Sequence, residues 1–295
     1  MPSLRDIRRR IKSVKNTSQI TKAMQMVAAS KMRRAQQAAI NGRPYARLLS
    51  RTIINLRDRV ENTLHPLLEP RQGPRTLVIL LTTDKGLCGA LNTNLVREVL
   101  TFDKETTQFI SIGRKGTQFL ARTNRQLLAE FPLTDPPSSL DAKRVSKLAL
   151  DRFLAHETDR VTVLFPRFIN TLSQVSAKVP LLPIQAIEEV CIEPPAKNST
   201  QAIEPPAPPD GEVLFEPSPY SVLEALLPFA VHFAFYQMLL STRASEHSAR
   251  MVAMKNATDN ARQLVKLLTL EYNKARQAGI TKEILEIATA QLALS

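Results

Sequence analysis

Apolar residues near the start of the chain recur at helical spacing, with Leu4, Ile7, Ile11 and Val14 followed by Ile20, Met24 and Val27. No proline or glycine interrupts residues 3–41, so the spacing predicts one long helix. Its apolar stripe is narrow, about two positions per heptad, which is the seam of a coiled coil rather than the broad face of a surface helix. Gly42 and Pro44 predict a kink, after which Tyr45–Val60 continues the helix. The other end of the chain mirrors this. Fifty residues from Phe229 to Ala278 contain no proline or glycine, and at ~1.5 Å per residue they make a rod of about 75 Å. A compact globule of this chain length is about 50 Å across. Such a rod must protrude or run through something else. Two long helices at opposite ends of the sequence, each with a partial seam, pair most simply as an antiparallel coiled coil.

The middle has a different texture. Thr76–Leu81, Gln108–Ile112 and Val161–Phe165 are short, nearly continuous apolar runs, and helix-like stretches such as Leu91–Leu100 and Ser138–Glu157 lie between or beside them. That alternation predicts an α/β unit with a largely parallel sheet covered on both faces. Val179–Ile187 adds a further strand, which Pro180 and Pro183 push to an edge. Residues 192–219 are proline-rich and read as a linker. The expected class is α plus α/β, in four parts. These are an N-terminal coiled-coil helix (1–61), an α/β globular domain (74–190), a proline-rich linker (191–219) and a C-terminal coiled-coil helix (220–295).

Charge sharpens the first part. Residues 1–60 hold fifteen Lys/Arg against only Asp6 and Asp58, whereas the rest of the chain balances at 25 basic and 25 acidic residues. The whole net charge of +13 therefore sits on the first fifth. A solvated helix face, a nucleic-acid arm, an anionic membrane contact and an acidic protein partner all fit it. The apolar run Ala225–Leu240 falls short of the ~20 residues of a transmembrane helix and carries Pro228, His232 and Gln237, so it reads as a buried helix. The N-terminus has charges with no apolar stretch behind them and does not read as a secretory signal.

Catalytic chemistry is sparse. The loop Thr82–Gly89 follows the first strand, where α/β folds place phosphate-binding turns, but it has neither a P-loop nor a dinucleotide fingerprint. It reads as a turn packing a strand onto a helix. Cys88 and Cys191 form no C-x-x-C and no disulfide framework. His65, His156, His232 and His247 show no triad or ligand spacing. The expectation is no catalytic residue, no metal site and no cofactor. Past Ile280 a different signal appears: Ile284, Leu285, Ile287, Leu292 and Leu294, with intervening alanines, face almost every direction around a helix. A tip apolar all round needs a partner to bury it.

Several segments resemble one known family. They are Ile11–Val14, Asn16-Thr17, Ile20–Met24 and Met26–Met32; Asp84–Asn92, close to D-x-G-L-C-G-x-x-N; and Ser245–Lys255, Ala257–Ala261 and Tyr272–Gln277, followed by Ile280, Thr281 and Glu283. Together they resemble, in order and along essentially the whole chain, the γ subunits of F-type ATP synthases. The resemblance implies a Rossmann-like α/β domain inserted between the two coiled-coil helices. It implies a central stalk that couples proton-driven c-ring rotation to conformational change at the catalytic β subunits, with no active site of its own. The implied partners are the α and β subunits, the ε subunit and the c-ring, without nucleic acid. The implied location is peripheral, on the cytoplasmic side of a bacterial inner membrane. By the same resemblance Met24, Arg276, Gln277, Thr281 and Glu283 face β, and Ser30, Lys31, Arg33, Phe215 and Glu216 form a foot toward ε and the c-ring. Ile284, Leu285, Ile287, Leu292 and Leu294 form an apolar bearing. The sequence departs from the family pattern at Ala290-Gln291, where a Gly-Ala pair is usual, and Gly279 is expected to break the last helix. The alternative reading is a basic coiled-coil protein that binds nucleic acid.

Overall fold

The computed structural model describes residues 3–57, 65–184, 216 and 218–294. They form two units, Met1–Ala29 with Arg250–Ser295, and Ser30–Ala249. Two long helices contribute to both: α1 (Leu4–Arg57) and α5 (Pro219–Leu294). α1 continues past the expected kink, and α5 continues past the break expected at Gly279. α1 runs through Gly42 and Pro44, and α5 runs through Pro228 and Gly279. A single proline or glycine costs about 1 to 3 kcal/mol in a helix; near Gly42, Pro44 and Pro228 buried side chains such as Ala46, Leu49, Leu227 and Ala230 offset it. At Gly42 α1 lies close to α5, and a Cβ there would lie 1.9 Å from Gln237 Nε2, so the Gln237 side chain would have to move aside.

The second unit is built on a five-stranded sheet in the order β3-β2-β1-β4-β5. Its strands are β1 (Thr76–Leu81), β2 (Thr107–Ile112), β3 (Gln126–Phe131), β4 (Arg160–Phe168) and β5 (Gln174–Leu182). The first four pair in parallel, and β5 closes one edge antiparallel to β4. The edge position predicted for the Pro180 strand is the one it takes, shifted N-terminally to start at Gln174. Between the strands lie α2 (Leu91–Val99), α3 (Arg114–Arg122) and α4 (Ser139–Leu154). Val78, Leu80, Phe109 and Leu164 point to the α2–α3 face. Leu77, Ile79, Leu81, Ile110 and Val163 point to the face covered by α4, α1 and α5. This period-two division follows from strand geometry. Right-handed crossovers put α2 and α3 on one face and α4 on the other, because the strand order reverses between β1 and β4.

The apolar run Ala225–Leu240 is core. By composition and length α5 could cross a membrane, yet Leu227, Ala230, Val231, Ala234, Phe235 and Met238 are buried in the cluster that covers the sheet. Cys191 and nearly all of the proline-rich stretch lie outside the described residues.

Candidate functional site

The C-terminal ends of β1 and β4 flank the point where the strand order reverses, the place where open α/β sheets bind ligands. Here that crevice is occupied by α5. Ser245 Oγ donates to Pro166 O (2.7 Å), and Ser241 Oγ accepts from Phe168 N (3.2 Å) at the end of β4. Ser248 Oγ donates to Thr171 O (2.7 Å) in the β4–β5 hairpin, and Ala249 packs on Cys88 and Leu91 after β1. The amides at the head of α3, which could have cradled a phosphate, are also taken. Arg114 N donates to Asp84 Oδ1 (3.1 Å), Lys115 N to Thr83 O (3.1 Å) and Gly116 N to Thr82 Oγ1 (2.8 Å). Asn92 Nδ2 donates to Thr83 Oγ1 (2.8 Å) and Cys88 Sγ (3.4 Å), which locks the turn onto itself. The loop is a packing device, and Cys88 is buried in it. No cluster of three potential metal ligands occurs among the described residues.

The other unit is a helix pair. On α1 a row of buried or part-buried positions runs Ile7, Ile11, Val14, Ser18, Thr21, Gln25 and Ala28, with Asp6, Met24 and Ala29 part-buried beside it; on α5 the row runs Met254, Thr258, Ala261, Val265, Leu268, Tyr272, Ala275 and Gly279, with Ala257 beside it. Both rows alternate steps of three and four, the 3.5-residue repeat of a coiled-coil seam. The seam therefore continues the phase of Ile7, Ile11 and Val14 through polar residues, and not through Ile20 and Val27 as the apolar pattern predicted. Thr21 and Thr258 meet inside it, with hydroxyls 2.7 Å apart. Thr258 Oγ1 also reaches Met254 O (2.8 Å), so the buried hydroxyls are satisfied along a short chain of bonds. The displaced apolar side chains face outward: Ile20 is 61% exposed, Met26 60% and Val27 57%, while Met24 is half-buried.

Arg276, Gln277, Thr281 and Glu283 are all exposed on α5, and Thr281 Oγ1 donates back to Gln277 O (2.9 Å). Gln277 and Thr281 stand one turn apart on one face. From Ile280 to Ile287 every residue is exposed, including Ile284 (60%), Leu285 (59%) and Ile287 (68%). Leu292 and Leu294 continue the helix, and their side chains lie outside what is described. In the other unit Ser30, Arg33 and Glu216 are exposed, and Phe215 lies outside the described residues. Lys31 is committed within the chain, its Nζ donating to Asp135 Oδ2 (2.7 Å). The basic residues are outward-facing. Arg5, Arg8, Arg9, Lys12 and Lys15 line an open hollow of about 610 Å³ along α1.

A charged cluster that sequence reasoning missed joins α1, α5 and the loop before α4. Arg243 of α5 donates from Nε to Thr134 O (2.9 Å), and its terminal nitrogens reach Leu133 O and the Glu246 carboxylate. His247 Nε2 stands 3.5 Å from Asp135 Oδ1. Burial pushes the Asp135 carboxyl up, but the Lys31 hydrogen bond and the charges of His247 and Arg243 outweigh it and hold the group below its usual range. Only the alternation of polar residues within an apolar helix, STRASEHSAR, could have hinted at the cluster.

Comparison with known proteins follows the same lines. The ATP synthase family model matches residues 3–294. The ATP synthase gamma chain of Opitutus terrae is 51% identical over 99% of both chains. The rotor of the Euglena gracilis mitochondrial ATP synthase superposes with a TM-score of 0.62 at 20% identity, covering 94% of this chain and 98% of that one. A second structure from that source, of OSCP, F1 and c-ring, gives a TM-score of 0.66 at 22% identity, covering 99% and 94%. None of these relatives supports a nucleic-acid role for the basic helix. With the family model matching nearly the whole length and a relative half identical from end to end, the chain is a member of the ATP synthase gamma chain family.

Proposed function

We propose that the chain works as the central shaft of an ATP synthase, turning with a c-ring and imposing successive conformations on three chemically identical catalytic sites carried by β subunits. The observation that carries this reading is the end of α5, where Ile284, Leu285 and Ile287 are each more than half exposed beyond the seam. Side chains of that kind are each worth roughly 1.5 to 3 kcal/mol when fully buried, and a ring of α and β subunits around the shaft supplies a sleeve for them. Leu292 and Leu294 extend the same bearing.

Along the shaft Met24, Arg276, Gln277, Thr281 and Glu283 meet β, and the cations of α1 meet acidic loops of the hexamer. Ser30, Lys31, Arg33, Phe215 and Glu216 form the foot that meets ε and the c-ring. Lys31 does this while paired with Asp135, with about half of its side chain exposed. The faces of the shaft differ chemically, so each rotor angle offers each β subunit different contacts. A ligand or partner shifts an equilibrium only by its differential affinity for the states, and the shaft supplies that difference mechanically. Nucleotide chemistry belongs to β, and the chain attaches peripherally, through its complex, to the cytoplasmic face of a bacterial membrane.

Co-expression with α and β subunits tests the proposal. The chain is expected to co-purify in one copy per hexamer and, alone, to hydrolyse no ATP. Recovery only as a free monomer, or ATP turnover by the isolated chain, refutes it.

A further inference from the structure

The loop between β3 and α4 is held by three helices at once. From α1, Lys31 Nζ donates to Asp135 Oδ2 (2.7 Å). From α5, His247 faces the other Asp135 oxygen at 3.5 Å, and Arg243 donates to the carbonyls of Thr134 and Leu133 while pairing with Glu246. From the head of α4, Ser138 N donates to Thr134 Oγ1 (3.3 Å), which in turn donates to Asp141 Oδ2 (3.3 Å). Arg243, Glu246 and His247 are 5%, 3% and 3% exposed, so most of this network is out of water.

Apolar packing at such a place stabilises as well as a buried ion pair or better. What charges add is direction: a satisfied polar network in a poorly screened interior fixes one geometry and rigidifies it. Asp135 is the residue through which both long helices reach the same loop. Elsewhere α5 makes hydrogen bonds to the end of β4 and its hairpin through Ser241, Ser245 and Ser248, and both helices add apolar contacts through side chains such as Ile53, Leu56, Leu227 and Phe235. Apolar contacts resist separation but set no angle, and the Asp135 loop is where a directed bond from α1 joins those from α5.

Resting on the shaft reading above, we propose that Asp135 is a positioning residue that fixes α1 and α5 at one angle to the α/β domain, so that torque passes between helices and domain without yielding. The partners are internal, Lys31 and the Arg243–Glu246–His247 run, and the loop acts as the joint. Asp135 takes no part in nucleotide chemistry.

The test uses the whole ATP synthase complex, with the hexamer fixed to a surface and a probe on the c-ring. With Asp135→Asn, the variance of the resting angle is expected to rise about twofold while unloaded ATP hydrolysis stays within about twofold of wild type. Lys31→Gln is expected to act in the same direction, and the double variant to be no softer than the worse single, because both remove one link. A role confined to folding lowers the yield or melting temperature of the complex and leaves the stiffness of assembled complexes unchanged. That result overturns the proposal, as does an unchanged variance in Asp135→Asn or a double variant with additive loss. Failure of the shaft reading shows differently, as a wild-type complex whose probe does not turn on ATP.

Discussion

Replacing Arg243 with Met tests the energetics of the buried cluster directly. The substitution keeps most of the volume but takes the guanidinium away from Glu246, whose side chain is 4% exposed, and removes the donors to the carbonyls of Leu133 and Thr134. Breaking one partner out of a buried ion pair costs about 3 to 5 kcal/mol, a large part of the ~5 to 15 kcal/mol that holds a domain together. The companion Glu246→Leu leaves Arg243 its two carbonyl acceptors and is expected to cost less, about 2 to 3 kcal/mol. The double variant removes both charges. It loses chiefly the two carbonyl bonds, each worth about 1 kcal/mol, so it should cost about 2 kcal/mol in all. The assay is urea unfolding of the purified chain followed by far-ultraviolet circular dichroism, accepting only variants with unchanged denaturant dependence. If the double variant costs as much as the two singles added, within about 1 kcal/mol, the two residues do not act as a buried pair and the reasoning fails.

The remaining predictions concern acid stability and a turn. His232 lies with Nδ1 near Ser146 Oγ; burial first, then the charges of Lys143 and Lys147, push its pKa below the usual value. The unfolded chain takes up that proton near pH ~6.5 and the folded chain does not. Stability is therefore full above that pH and falls as pH drops below it, and His232→Asn should show a shallower loss in a melting series from neutral to mildly acidic pH. His65, whose pKa burial also lowers, keeps part of the slope in that variant. Gly113 has φ +96°, and a Cβ there would stand 2.3 Å from Thr82 O. Gly113→Ala should destabilise by at least about 2 kcal/mol in urea titration; a wild-type midpoint would show that the β2–α3 turn relaxes freely.

Much of this architecture was legible because its causes are local. Long stretches free of proline and glycine gave the two terminal helices, and the β-branched runs TLVILL, QFISI and VTVLF gave three of the strands. Ser138 marked the head of α4 and caps it, accepting from Leu140 N. β3 was missed because Gln126–Phe131, QLLAEF, has the composition of a helix. It is a strand because β2 offers it a parallel edge.

The sequence by itself determined that two long helices flank an α/β unit, that the cations crowd the first fifth, and that the last turns are apolar all round. These are statements about propensity, pattern and charge, each set by residues close together in the chain. Tertiary structure alone decided which face of α1 is the seam. Thr21 enters it and Ile20 stays out because the Thr21 hydroxyl finds Thr258 across the pair, and no local pattern contains that partner. It also decided that Lys31 pairs with Asp135, that Arg243 and Glu246 are buried, and that α5 fills the crevice where a ligand would sit. The physical reason is the same in each case: burying a polar group is favourable only where its partner waits, and these partners come together only when distant segments fold onto one another.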